Sequence, residues 1–100
     1  MPTHARQLLV IITEAALEKN LIKAARQHGA QGYTIYDVRG GGQHGTREDS
    51  WEADRSIEMK VICTQEVAQQ LSQYILTTYC PHYSVSMFIA EVSVLRPEKY

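Results

Sequence analysis

Residues 32–47 read Gly32-Tyr33-Thr34-Ile35-Tyr36-Asp37-Val38-Arg39-Gly40-Gly41-Gly42-Gln43-His44-Gly45-Thr46-Arg47. The β-branched and aromatic run from Tyr33 to Val38 is strand-like and passes directly into four glycines, at 40, 41, 42 and 45. Glycine lets a backbone approach a ligand with its N–H groups bare, and successive bare N–H groups cradle anions. Arg39, Arg47 and Arg55 surround the run, and a guanidinium fork takes phosphate or a planar carboxylate-like anion bidentately. Gly41, Gly42, Gly45 and Arg47 are therefore the candidate anion-binding residues. The same composition also suits a plain flexible loop, so the elements on either side decide how it is read.

Upstream, a strand is expected over Gln7 to Ile12, where Leu8 to Ile12 is unbroken apolar sequence, the mark of a strand covered on both faces. Thr13 is placed to cap a helix, with Glu14 favourable at its positive end. Leu17, Leu21 and Ala24 or Ala25 follow at helical spacing, and Gly29 closes the helix. The second strand is expected from Gln31 to Arg39, followed by a long polar loop over 40–54. Ile57, Met59, Val61 and Cys63 alternate as a third strand. Thr64 caps a second helix whose inward stripe is Val67, Leu71, Ile75 and Thr78 or Tyr79, and Pro81 ends it. Val85 to Val94 is the fourth strand.

The order β-α-β-β-α-β predicts an α+β, ferredoxin-like fold: a four-stranded antiparallel sheet with two helices on one face. One hundred residues form a single domain spanning 1–100. Apolar residues fall on both faces of the strands, so copies are expected to pack sheet against sheet. A net charge of -1 argues against a nucleic-acid binder. With no signal peptide and no apolar run of membrane-spanning length, the chain reads as cytoplasmic, without direct membrane insertion. Cys63 and Cys80 are too far apart for a Cys-x-x-Cys motif, and Cys63 reads as a buried small hydrophobe. His4, His28, His44 and His82 show no metal-ligand spacing, so no metal site is expected.

With the glycine loop between strands two and three, the chain resembles the PII-like signalling proteins from Leu8 to about Arg96. The most specific part is Gly32-Tyr33-Thr34-Ile35-Tyr36-Asp37-Val38-Arg39-Gly40-Gly41-Gly42, similar to the family's Gly-x-Thr-Val-x-x-Val-x-Gly-x-Gly. The approach His28-Gly29-Ala30-Gln31 also fits. The resemblance implies a homotrimer with an adenine nucleotide in each cleft between subunits, and a protein that signals to a partner without catalysing a reaction. Carried over by position, it implies that Gly32 and Thr34 line the adenine and ribose end and Ile62 lies against the base. It places Gly40, Gly42 and Gln43 along ribose and phosphates. Ser84, Val85 and Ser86 would approach from the other side, and Arg96 and Arg47 would reach phosphate.

The departures from the family pattern are informative. PII proteins carry a second loop of the form Thr-Gly-x-x-Gly-Asp-Gly-Lys, whereas this chain has Tyr79-Cys80-Pro81-His82-Tyr83-Ser84-Val85-Ser86, with neither glycine nor lysine. That favours AMP or ADP over ATP. No tyrosine lies between Tyr36 and Tyr74, so a uridylylation acceptor is missing. What remains is similar to the branch tied to inorganic carbon, with bicarbonate as a candidate ligand. That branch suggests a bicarbonate transporter or a carboxysome protein as partner, and carboxysome association as a location. No cysteine follows Cys80, so the C-terminal redox pair of some bicarbonate-transport regulators is absent. Trp51, in the acidic run 48–54, reads as a loop shield or a partner anchor. The competing functions are a small ferredoxin-like phosphatase and a trimeric metal-tolerance-type protein. No nucleophile, base and orienting group converge by spacing for the first, and the glycine loop has no purpose in the second.

Overall fold

Leu9, Ile11, Met59 and Val61 have no accessible surface, and their positions organise the sheet. In the computed structural model, which describes residues 1–42, 45–46 and 55–100, strand β1 (His4–Glu14) is central. It pairs antiparallel with β3 (Ser56–Cys63), Leu9 opposite Val61 and Ile11 opposite Met59. On its other side it pairs antiparallel with β4 (Val85–Val94), Leu9 opposite Ile89 and Ile11 opposite Met87. Strand β2 (Thr34–Val38) adds to the far edge of β3, giving the order β2-β3-β1-β4. Helices α1 (Glu18–Gln27) and α2 (Gln65–Thr78) cover one face. Leu17, Leu21, Ala24 and Ala25 meet Ala68, Leu71 and Ile75 there in one cluster with the strand residues. Each fully buried leucine, isoleucine, valine or methionine in that cluster contributes roughly 1.5–3 kcal/mol.

This is the expected ferredoxin-like arrangement, with local corrections. Thr13 does not cap a helix. It is the last inward residue of a strand that runs on to Glu14, paired with Ile57 and Val85 on its two sides. Its hydroxyl donates to the Ser84 carbonyl at 2.7 Å. A threonine held in ladders on both sides has no freedom to turn back and cap. The chain instead turns through a short 3-10 segment, Ala15–Leu17, before α1 begins at Glu18. The Glu14 carboxylate accepts from the Ser84 N–H at 3.1 Å, which ties the start of β4 to the end of β1.

Gly29 closes α1 as expected. Its φ is +93°, its N–H donates to the Arg26 carbonyl at 3.2 Å, and the Ala30 N–H donates to the Ala25 carbonyl at 2.9 Å. That pair of hydrogen bonds is the Schellman termination, which needs a left-handed residue after the cap. Thr64 caps α2, accepting from the Val67 N–H at 3.3 Å. The buried stripe of α2 is Ala68, Leu71 and Ile75. Val67 and Tyr79 are partly buried against the same core, and Thr78 is exposed.

Strand β2 starts three residues later than the expected Gln31. Its first partnered residue is Thr34, opposite Lys60, while β3 continues to Cys63, paired there with Gln7 of β1. Residues 31–33 therefore leave the sheet while β3 runs on, and the gap between them is a cleft. Beyond β2, part of the expected loop is regular: Gly41 faces Thr46 and Gly42 faces Gly45 in a two-stranded ladder. Gln43, His44, Arg47 and Trp51 lie outside the described residues. The face away from the helices carries Leu8, Val10, Ile12, Ile62, Ala90, Val92 and Phe88, as their alternation with the core residues requires, and Phe88 is 54% exposed.

Candidate functional site

The cleft opened by the departure of residues 31–33 from β3 has a volume of about 330 Å³. Gly32, Tyr33 and Thr34 form one wall, Lys60 and Ile62 of β3 the other, with Leu8 of β1 at the base. Lys99 and Tyr100, from the 3-10 turn Pro97–Lys99, close a third side. The turn is held where Arg6 of β1 donates to the Pro97 carbonyl at 3.3 Å. Leu8 and Ile62 share a face because they are paired across β1 and β3, so one end of the cleft is apolar. At Gly32 nothing lies within 4 Å of where a Cβ would stand, which leaves backbone open to an occupant.

The opposite end is polar. Lys60 is flanked by Glu58, at 3.7 Å from its ammonium, and by the Tyr36 ring, whose centroid is 5.4 Å away. The Tyr36 hydroxyl donates to the same Glu58 carboxylate. Tyr36 first and Glu58 second raise the Lys60 pKa above its ordinary value, so the ammonium stays charged throughout the physiological range. An apolar slot beside open backbone and two ammonium groups suits a flat heterocycle bearing an anionic tail. A second hollow, about 340 Å³ along the outer face of α1, runs between Lys19, Lys23 and Arg26. It has Ile22 as its one apolar lining residue and contains none of the expected site residues.

The Nitrogen regulatory protein P-II family matches residues 6–99. The chain belongs to the P-II family. Among solved structures it is similar to a PII-like signalling protein from Thermus thermophilus, at 38% identity over 100% of this chain and 99% of that one, with a TM-score of 0.85. It is also similar to CPII of Thiomonas intermedia, a nitrogen regulatory PII-like protein. One CPII structure, bound to ADP, AMP and acetate, matches at 25% identity over 100% and 98% of the two chains, with a TM-score of 0.86. Another, bound to ADP and bicarbonate, matches at 25% identity over 98% and 96%, also with a TM-score of 0.86.

Within this P-II chain, three of the expected nucleotide-binding residues come together: Gly32, Thr34 and Ile62 line the one cleft. Gly40 follows β2 on the same edge, and Gly42 lies in the glycine ladder. In an antiparallel ladder the N–H groups of alternate pairs are bonded across it, so pairing commits part of the backbone of Gly41, Gly42 and Gly45 that sequence reading left bare. Gln43 and Arg47 lie outside the described residues. Ser84, Val85 and Ser86 sit at the start of β4, on the other edge of the sheet, with Ser86 opposite Ile12. One chain does not bring them to the cleft. Arg96 is exposed and pairs with Glu98 at 3.1 Å, outside the lining.

Lys60, Lys99, Leu8 and Tyr100 are lining residues that sequence reading did not single out. Strand alternation put Lys60 on the same face as Ile62, and that was the available signal. The resemblance brought the tail to the site through Arg96, but it is Lys99 and Tyr100 that line the cleft. Cys63 is buried, and burial pushes its thiol pKa up from 9.0. Cys80 is half-buried, and both thiols are free. Among the described residues no group of His, Cys, Asp and Glu could hold a metal ion, and no helix is long and apolar enough to cross a membrane.

Proposed function

We propose that this P-II chain is a non-enzymatic sensor whose cleft takes an adenine nucleotide. The observation that carries this is the convergence of Gly32, Thr34 and Ile62 on one cleft with an apolar end and a cationic end. The ring lies against Ile62 and Leu8, with the phosphates toward Lys60. Support comes from CPII, two of whose solved structures hold ADP. Residues Ser84 to Ser86 lie on the opposite edge of the same sheet, so they complete the cleft only when a second copy supplies them. A homotrimer, closed through the apolar open face with Phe88 and Val92 in the seam, gives each cleft that second wall. AMP and ADP are favoured over ATP because the Tyr79–Ser86 segment has no lysine.

Occupancy alters what the trimer holds through the different affinities of its two states. The regulated partner belongs to inorganic-carbon metabolism, as a bicarbonate transporter or a carboxysome protein met from the cytoplasm. The bicarbonate bound to CPII with ADP supports a small planar anion as second effector, near Gly41, Gly42, Gly45 and Arg47. The test is calorimetry of the purified protein with AMP, ADP, ATP and adenosine, alongside light scattering. Binding of AMP or ADP by a trimer, with ATP no tighter and no phosphate released, is the expected result. A monomer, or steady phosphate release, would overturn the reading.

A further inference from the structure

The Tyr79–Ser86 segment contains no lysine or arginine, yet the cleft is not without cations, because Lys60 and Lys99 both line it. The two are not equivalent. Lys99 projects from a short 3-10 turn near the end of the chain. Lys60 stands in the middle of β3, its backbone paired with Val10 on one side and Thr34 on the other. A residue fixed in two ladders places its side chain far more reproducibly than one on a short turn.

Lys60 also sits at a particular point along the cleft. It shares a strand face with Ile62, two residues and about 7 Å further along β3, in the direction of Glu58 and Ser56. Across the sheet that is the direction from Thr34 to Val38 and Gly40. An occupant with its ring on Ile62 and its tail running toward the glycines passes Lys60 first. The ammonium is steered by groups on its own face: the Glu58 carboxylate at 3.7 Å and the Tyr36 ring. Glu58 is itself engaged by the Tyr36 hydroxyl, so that carboxylate is shared between two donors and leaves Lys60 able to donate elsewhere. An ammonium has three donors, and one carboxylate contact occupies one of them.

We infer that Lys60 is the phosphate-reading residue of this cleft, a cation supplied from β3, with Glu58 and Tyr36 as its positioning residues. The inference rests on the proposal that the cleft takes an adenine nucleotide. The assignment also explains how a phosphate can be held when the segment preceding β4 offers no cation. A nucleoside without phosphate gains nothing from Lys60, so the residue discriminates among occupants and does not simply add affinity for all of them.

The experiment is calorimetry of the whole chain, in its native form and as Lys60→Gln and Lys60→Arg, with ADP and with adenosine. Loss of one charge-assisted contact predicts that Lys60→Gln weakens ADP roughly tenfold or more relative to adenosine, and a native-like circular dichroism melt shows that the variant is folded. Lys60→Arg keeps the charge and retains most of the ADP affinity. An ADP-to-adenosine preference that survives Lys60→Gln overturns the role of Lys60 and leaves the nucleotide site standing. A native protein that binds neither compound overturns the nucleotide reading, and this role with it.

Discussion

Gly29 and Gly32 lie three residues apart on the turn from α1 into the cleft, yet substituting them should have opposite consequences. Gly29 has φ +93°, where an L-residue clashes with its own backbone. An added Cβ there meets only Val67 Cγ2, at 3.7 Å, an ordinary contact, so the cost is conformational. Left-handed backbone costs a residue with a Cβ about 1–2 kcal/mol. For a domain of this size that lowers Tm by about 4–16 °C. At Gly32, φ is not positive and nothing lies within 4 Å of the added Cβ, so Gly32→Ala should leave Tm essentially unchanged. It should instead weaken ADP binding, because the methyl enters the cleft. A steric cost on the order of 1 kcal/mol is about fivefold in affinity. Circular dichroism melts without ligand, at one protein concentration, and ADP titrations read the two effects separately. Gly29→Asn, which tolerates the left-handed region better, should melt between native and Gly29→Ala. Equal melting of Gly29→Ala and native protein would refute the strain argument. A large Tm loss in Gly32→Ala would refute the claim that the space at residue 32 is open.

Leu71→Ala removes a side chain with no accessible surface from the contact between α2 and the sheet, and should cost about 2–5 kcal/mol by denaturant unfolding. Of the two thiols, half-buried Cys80 should react with an aromatic disulfide reagent in the native protein, while buried Cys63 reacts only after unfolding. Because burial keeps the folded Cys63 thiol protonated above its ordinary pKa of 9.0, the folded state binds the extra proton there. Stability from this group is complete below pH 9 and declines as the pH rises beyond it, so in melts between pH 8 and 10.5 the native protein should lose stability more steeply than Cys63→Ala. If bicarbonate is a second effector, replacing chloride with bicarbonate at fixed ionic strength should tighten ADP binding by the factor with which ADP tightens bicarbonate. Identical ADP affinity in the two salts removes it.

The fold was readable because its signals were local and periodic. Alternation from Ile57 to Cys63 gave β3 its inward residues, and the apolar block from Leu8 marked the central strand. Thr64 and Gly29 marked helix ends by chemistry that the structure reproduces. Thr13 misled because the same residue type serves as a cap or as a strand residue, and pairing with Ile57 and Val85 decides between them. The candidate site was legible only where one edge of the sheet builds it. Gly32, Thr34 and Ile62 are brought together by the β2–β3 register. Leu8, Lys99 and Tyr100 arrive from β1 and from the folded-back tail, and no short sequence pattern encodes that meeting. Ser84 to Ser86 pose a different difficulty, since they lie at the opposite edge of the sheet from the cleft, and a sequence does not say which edges meet in an assembly.

The central claim is that an adenine nucleotide occupies the cleft of Gly32, Thr34 and Ile62. A crystal structure of the protein grown with ADP tests it most directly. The account predicts the adenine ring against Ile62 and Leu8, a phosphate within hydrogen-bonding distance of the Lys60 ammonium, and the Ser84–Ser86 segment of a neighbouring copy facing the nucleotide. ADP bound elsewhere on the chain, or the cleft vacant in crystals grown at millimolar ADP, would contradict it.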